Sequence, residues 1–198
     1  MELLIEELRR IGLELNVSKT KIITNEIQVQ NFIVIGGTEV GIVEESGKHR
    51  YLGRYLSGVF ENRGTIEVAH RIQCAWQKFG RHSSTLLNKN VSIKLRLKLF
   101  DSTVTPSLLF GLSVLPITQV NMDKITVCQR KMIRKIVGWT RHPGDEWETV
   151  MHNMKQKVVV AMNQFYVRPW DECIVAMRTK NFNRLASMSN ERWEKLSL

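Results

Sequence analysis

The chain has 198 residues, with 29 Lys and Arg against 19 Asp and Glu, a formal net charge of +10 and a pI of about 9.8. That length suits one large domain or two small ones with a real core, and 43% hydrophobic content agrees with a globular rather than a disordered chain. The charge favours a polyanionic partner, nucleic acid before anionic membrane, and no apolar run approaches the roughly 18 residues of a membrane span.

The opening stretch MELLIEELRRIG is acidic and amphipathic rather than a signal peptide, so an intracellular protein, nuclear or cytoplasmic, is expected. Leu3, Leu4, Leu8 and Ile11 fall near 3.6-residue spacing and predict a helix that Gly12 closes. In LELNVSKTKIIT, Asn16 and Ser18 are turn formers between short apolar runs. Ile27/Val29, Phe32/Val34 and Val40/Ile42 keep a period of two, with Gly36-Gly37 as a hairpin turn and Ser46-Gly47 as the next. Tyr51-Leu52 then begins a third strand, which predicts a small antiparallel sheet over residues 13–57.

After Gly64 the period changes. Ile66, Ala69, Ile72 or Gln73, Trp76 and Phe79 form a helical stripe, with Arg71 and Lys78 on another face and an interruption at Gly80 or Ser83-Ser84. VSIKLRLKLF alternates like a strand, but Leu, Lys and Arg are good helix formers and β-branched residues occur only at its start, so it reads as helix. Pro106 either kinks a helix or starts one. Residues 121–137 are a clearer helix: Met122, Ile125, Met132, Ile133 and Ile136 face inward, Lys124, Lys131 and Lys135 outward, and Gly138 ends it. HPGDEWETVM restarts helix with Asp145 as N-cap and Glu148 three residues on. The tail from Val158 is apolar, then mixed, with Trp170 and Trp193 prominent.

Cys74, Cys128 and Cys173 are odd in number and far apart, which argues against a disulfide framework or a zinc finger. His70 and Cys74 share a helix face, but no second ligand pair accompanies them. The charge is segregated. Between Glu67 and Asp101 lie Arg71, Lys78, Arg81, Lys89, Lys94, Arg96 and Lys98 without an acid; between Asp123 and Asp145 lie Lys124, Arg130, Lys131, Arg134, Lys135 and Arg141, again without one. If these blocks pack together they present one basic wall, and about six phosphate contacts would give a log–log salt slope of about −5. The clustered carboxylates of two-metal chemistry, a P-loop, GxSxG and HExxH do not occur.

The ordered series GLELNVSKTK, HRYLGRYLS, RIQCAWQKF, SIKLRLKLFDSTVTPSLLFG and RKMIRKIVGWTRHPGDEWETVM resembles the distal part of LINE-type (non-LTR) retrotransposon reverse transcriptases, over about residues 1–155. The resemblance implies an α+β chain: a small antiparallel palm remnant with a primer-grip hairpin (1–60), a mainly helical thumb-like bundle (61–142) and a helical extension (143–198). Gly12, Leu13, Asn16, Lys19 and Thr20 match the motif after the catalytic strands, with Lys19 a possible accessory to pyrophosphate departure. Tyr51, Leu52 and Gly53 match the primer grip, where glycine would admit the primer's end and Arg54 would touch a phosphate, while Leu52 and Leu56 read better as core.

The thumb resemblance implies that Arg71, Lys78, Lys94, Lys98, Lys124, Lys131 and Lys135 track an RNA, DNA or hybrid duplex. TPSLLFG and Trp139 read as packing. The family's aspartate box is expected before residue 1, so the chain alone is expected not to polymerise, and magnesium belongs only to the complete polymerase. No other cofactor, small molecule or membrane is expected as partner; the missing polymerase half is. Two alternatives stand beside this: a stand-alone nucleic-acid-binding protein, and a relic that self-associates through exposed apolar surface.

Overall fold

The structure, a computed structural model, describes residues 2–16, 19–24, 31–35, 37–43, 47–57, 59, 62–139, 141 and 143–188. The fold is α+β, with two small antiparallel hairpins and seven α-helices among the described residues. It divides into two compact units, residues 1–67 and 68–198. No helix of the described residues is long and apolar enough to cross a membrane.

In the first unit, helix α1 spans Glu2–Arg10. It ends as the sequence predicts. Gly12 takes φ 78°, its N–H donates to the Arg9 carbonyl at 3.0 Å, and the Leu13 N–H reaches back to Leu8 at 2.9 Å. These are the paired bonds of a Schellman cap, which needs a residue at ease in the left-handed region. Asn16 closes the next turn: its carbonyl accepts from the Lys19 N–H at 3.1 Å and the Thr20 hydroxyl at 2.9 Å.

Strands β1 (Phe32–Ile35) and β2 (Thr38–Gly41) form the predicted first hairpin, with Ile33 opposite Val40 and Ile35 opposite Thr38. Burial does not follow the predicted period of two along β1: Phe32, Ile33 and Val34 are all exposed, and Ile35 on β1 and Val40 on β2 are the buried residues. Ile22 makes an isolated parallel bridge to Ile42 beside this hairpin. Ile27, Val29, Ser18 and Ser46 lie outside the described residues.

The second hairpin corrects the sequence reading. Tyr51-Leu52 does not begin a third strand: β3 is Lys48–Tyr51, β4 is Arg54–Ser57, and Leu52-Gly53 is the turn between them. Leu52 has φ 47° and Gly53 has φ 77°. Two successive positive φ values define the type I′ turn whose twist suits a two-residue hairpin. The pairs β1–β2 and β3–β4 are separate two-stranded sheets rather than one sheet over 13–57. Two side chains then tie β4 to the start of helix α2 (Arg63–Arg81): Arg63 Nε donates to the Ser57 carbonyl at 2.8 Å, and buried Glu67 accepts from the Tyr55 N–H at 2.8 Å.

The second unit takes up the rest of α2 and is helical. After α2 come α3 (Ser83–Leu86), α4 (Ile93–Leu109), a 3-10 turn at Leu112–Val114, α5 (Gln119–Val137), α6 (Trp147–Gln164) and α7 (Trp170–Ala186). VSIKLRLKLF is helix: Ser92 caps α4 by accepting from the Leu95 N–H at 3.4 Å, and Leu97, Phe100, Val104 and Leu108 go inward at 3–4-residue spacing. Pro106 lies inside α4, on its exposed side and near its end. Thr118 caps α5, and Gly138 ends it at φ 91°. Helix α6 starts one residue later than the sequence suggests, at an N-cap of Glu146 rather than Asp145, and without a side-chain capping bond.

The core of this unit joins Val68, Ala75 and Phe79 of α2 to Leu97, Phe100, Val104 and Leu108 of α4, Ile125, Met132, Ile133 and Ile136 of α5, and Val158 of α6. The tail supplies its largest member. Trp170 is fully buried, stacks on Phe100 at 5.7 Å and donates Nε1–H to the Thr105 hydroxyl at 2.9 Å. Gln129 fixes the start of α7, accepting from the Trp170 N–H at 2.9 Å and donating to the Arg168 carbonyl at 2.8 Å.

Candidate nucleic-acid interface

Several exposed cations of the second unit lie on two packed helices, α4 and α5. On α4, Lys94 and Lys98 sit one turn apart and both are exposed. On α5, Lys124, Lys131 and Lys135 share a face by spacing, and all three are exposed. Helices α4 and α5 pack against each other through their apolar sides. Among the described residues none of these five lysines forms an ion pair. Their charge is therefore not neutralised locally and acts on whatever approaches.

Other cations of the two basic blocks are used inside the protein. Arg71 is 6% exposed, with its guanidinium 4.7 Å from the centre of the Phe110 ring. This corrects its assignment as a phosphate ligand: its charge is spent on an aromatic face and on a buried position of α2. Arg96 is 7% exposed and donates to the carbonyls of Ile136, Val91 and Leu86. It serves carbonyls at the ends of α3 and α5 that have no helical donor left. Lys78 is half-buried on α2.

The spacing holds a signal for both arginines. Positions 93, 96, 97 and 100 share one helical face, as do 64, 67, 68, 71 and 75, and in each set the arginine stands among inward residues.

In the first unit, Tyr51 is 59% exposed and Leu52 is 78% exposed at the tip of the β3–β4 hairpin. Leu52 is therefore not core, whereas Leu56 is half-buried. Gly53 has nothing within 4 Å of where a Cβ would stand. Gly53 sits in the turn at φ 77°, a conformation that glycine adopts without strain. Arg54 is half-buried, with Nε enclosed and without a hydrogen-bond partner among the described residues. Lys19 is exposed, and only its backbone takes part in the Asn16 turn. Closer backbone approach occurs at Gly41, where a Cβ would come within 2.8 Å of Lys21 Nζ.

The thiols are set by burial. Cys128 is pushed up to about 11, chiefly by loss of solvent, against the opposing influence of the Lys131 charge and a hydrogen bond with Trp76. Cys173 is also raised by burial, with Arg168 opposing. Cys74 Sγ lies 3.5 Å from His70 Nε2, so the expected pair does meet. No group of three His, Cys, Asp or Glu suited to a metal ion occurs among the described residues.

The chain is similar to an uncharacterized transposon-derived protein of Caenorhabditis elegans, 25% identical over 138 residues, which is 69% of this chain and 48% of that protein. The chain thus spans about half the length of the relative it matches. No family model and no solved structure matches it.

Proposed function

We propose that the chain is the palm end and thumb of a transposon-derived, LINE-type reverse transcriptase and that its second unit holds a primer–template duplex through Lys94, Lys98, Lys124, Lys131 and Lys135. The observation that carries this reading is the exposure of these five lysines, without ion pairs, on two packed helices. Similarity to a transposon-derived protein supports the ancestry, and the ordered sequence motifs support the finer family. Of 29 Lys and Arg, 21 fall in residues 68–198, against 9 of the 19 Asp and Glu. Such an excess draws in the backbone of any paired strand irrespective of sequence, which suits a duplex-tracking surface. We assign binding and no catalytic step.

The test is charge reversal. The variant K94E/K98E/K131E/K135E is expected to weaken binding to primed RNA and DNA duplexes of unrelated sequence alike, and to cut the magnitude of the salt slope by about 0.9 for each phosphate it no longer neutralises. Unchanged affinity in a folded variant would move the interface elsewhere.

A second reading rests on the first unit. Leu3, Leu4, Ile11, Leu13 and Val34 are all more than 45% exposed, and among the described residues the two hairpins leave outer strand edges. Such faces and edges favour association with a further polypeptide. A concentration-independent monomer in sedimentation, alone and mixed with a complete polymerase, would remove it.

A further inference from the structure

Two of the four described tryptophans stand apart from the others. Trp170 is fully buried, and Trp76 is half-buried, edge-on to Phe79 at 5.6 Å. Trp139, just past the end of α5, and Trp147, the first residue of α6, instead lie 5.7 Å apart at an interplanar angle of 35°, with 43% and 58% of their surfaces in solvent. Core packing does not explain two indoles that hold each other and remain wet, because burial of aromatic surface is what packing gains from tryptophan.

A groove of about 650 Å³ opens along α6 beside Trp147, lined further by Glu148, Thr149, Met151, His152 and Lys155. Residues 147, 148, 151, 152 and 155 fall on one helical stripe, so aromatic ring, apolar thioether and cation face the same space. Arg141, between the two tryptophans in the chain, is exposed.

From this we infer that the Trp139–Trp147 pair and the α6 groove form a stacking site for an unpaired nucleobase of a single-stranded nucleic acid. Every base offers a flat π face, so an exposed indole accepts any of them, and single-strand binders combine such stacking with cations that follow the phosphates. Here Trp147 supplies the face, Met151 the apolar floor and Lys155 the phosphate contact. Thr149, His152 and Glu148 offer hydrogen-bonding groups to the base edge or the sugar. Glu148 is the one acid in the lining, set against Lys155. The size of the groove matches that of small-ligand sites in general. This inference rests on the nucleic-acid reading of the second unit and adds to it: the lysines of α4 and α5 follow a paired strand, and the tryptophan pair takes a base that is not paired.

The experiment uses the full chain and two probes, a single-stranded oligothymidylate and a hairpin duplex without an unpaired end. Trp147→Ala is expected to weaken oligothymidylate binding by about 5- to 100-fold. It should leave duplex binding within about twofold, and Trp147→Phe, which keeps a ring to stack on, should recover most of the loss. The single strand should also quench tryptophan fluorescence of the wild-type chain more than the hairpin does. Lys94→Glu/Lys98→Glu serves as the contrast, weakening both probes.

Circular dichroism establishes that each variant is folded. If Trp147→Ala leaves oligothymidylate binding unchanged, or weakens both probes equally, the stacking site is wrong while the lysine surface stands. If neither probe binds the wild-type chain, both readings fall together.

Discussion

The two units bury very different amounts of apolar surface. In residues 68–198 the apolar stripe of each longer helix meets another helix, and Leu97, Phe100, Leu108, Ile125, Met132, Ile133, Trp170 and Ile174 are all fully buried. In residues 1–67 the buried apolar side chains among the described residues are Ile35 and Val40, while Leu3, Leu4, Ile11, Leu13, Phe32, Ile33, Val34, Tyr51 and Leu52 are exposed. Charge divides along the same line: the first unit has 8 Lys and Arg against 10 Asp and Glu, the second 21 against 9. The second unit thus closes its own core and exposes cations. The first is shaped by local turns and caps, and exposes apolar side chains.

That contrast has measurable consequences. The largest concerns Trp170. Trp170→Ala removes the Phe100 stack and the donor to Thr105 at the centre of the second unit, and is expected to lower the free energy of urea unfolding by about 3–5 kcal/mol. Phe32→Ala, at a 41% exposed position of the first unit, should change it by less than about 0.5 kcal/mol. Comparable losses at the two sites would break the contrast.

Cys128 probes the same core through pH. Its folded pKa is raised from 9.0 to about 11, so the folded state holds the thiol proton more firmly than the unfolded state does. Its contribution to stability is intact below pH 9 and declines as pH rises through about 11, by about 2–3 kcal/mol in all. Stability of Cys128→Ala should therefore fall less steeply over this window than that of the wild type. Parallel curves would mean that the thiol is not buried.

A smaller effect than those at Trp170 and Cys128 lies in the first unit, where the turn rather than a core is decisive. Leu52 holds φ 47°, a region that disfavours residues with a branched or bulky side chain. Leu52→Asn, a residue that suits the first position of a type I′ turn, is expected to stabilise the hairpin by about 1 kcal/mol, read as slower hydrogen exchange of the β3–β4 amides. Faster exchange would show that the leucine side chain is held by something other than the turn.

Much of this is legible in the sequence wherever a local rule and the tertiary structure agree. Gly12 and Gly138 mark helix ends because both need positive φ, and the Met132, Ile133 and Ile136 stripe is inward because its period is helical. VSIKLRLKLF is ambiguous by period, and helix propensity together with the Ser92 cap decides it. Arg71 and Arg96 mislead because residue type suggests solvent while their helical phase places them inside. Arg96 is accommodated by carbonyls that no reading of separate helices brings near it.

The Leu52 turn escapes the sequence because leucine gives no signal for positive φ; Gly53 alone carries one. Trp170 reads as part of a weaker tail, and only its contacts with Phe100, Thr105 and Gln129 make it central. Trp139 and Trp147 are not recognisable as a pair, since the chain between them contains no periodic element to set their distance.

The central claim is that the lysines of α4 and α5 bind the backbone of a nucleic acid duplex, and it is tested most directly by measuring affinity for a primed duplex across a salt series. Five phosphate contacts predict a straight log–log plot with a slope of about −4 to −5, the same for duplexes of unrelated sequence. A slope near zero, or no binding at low salt, would contradict it.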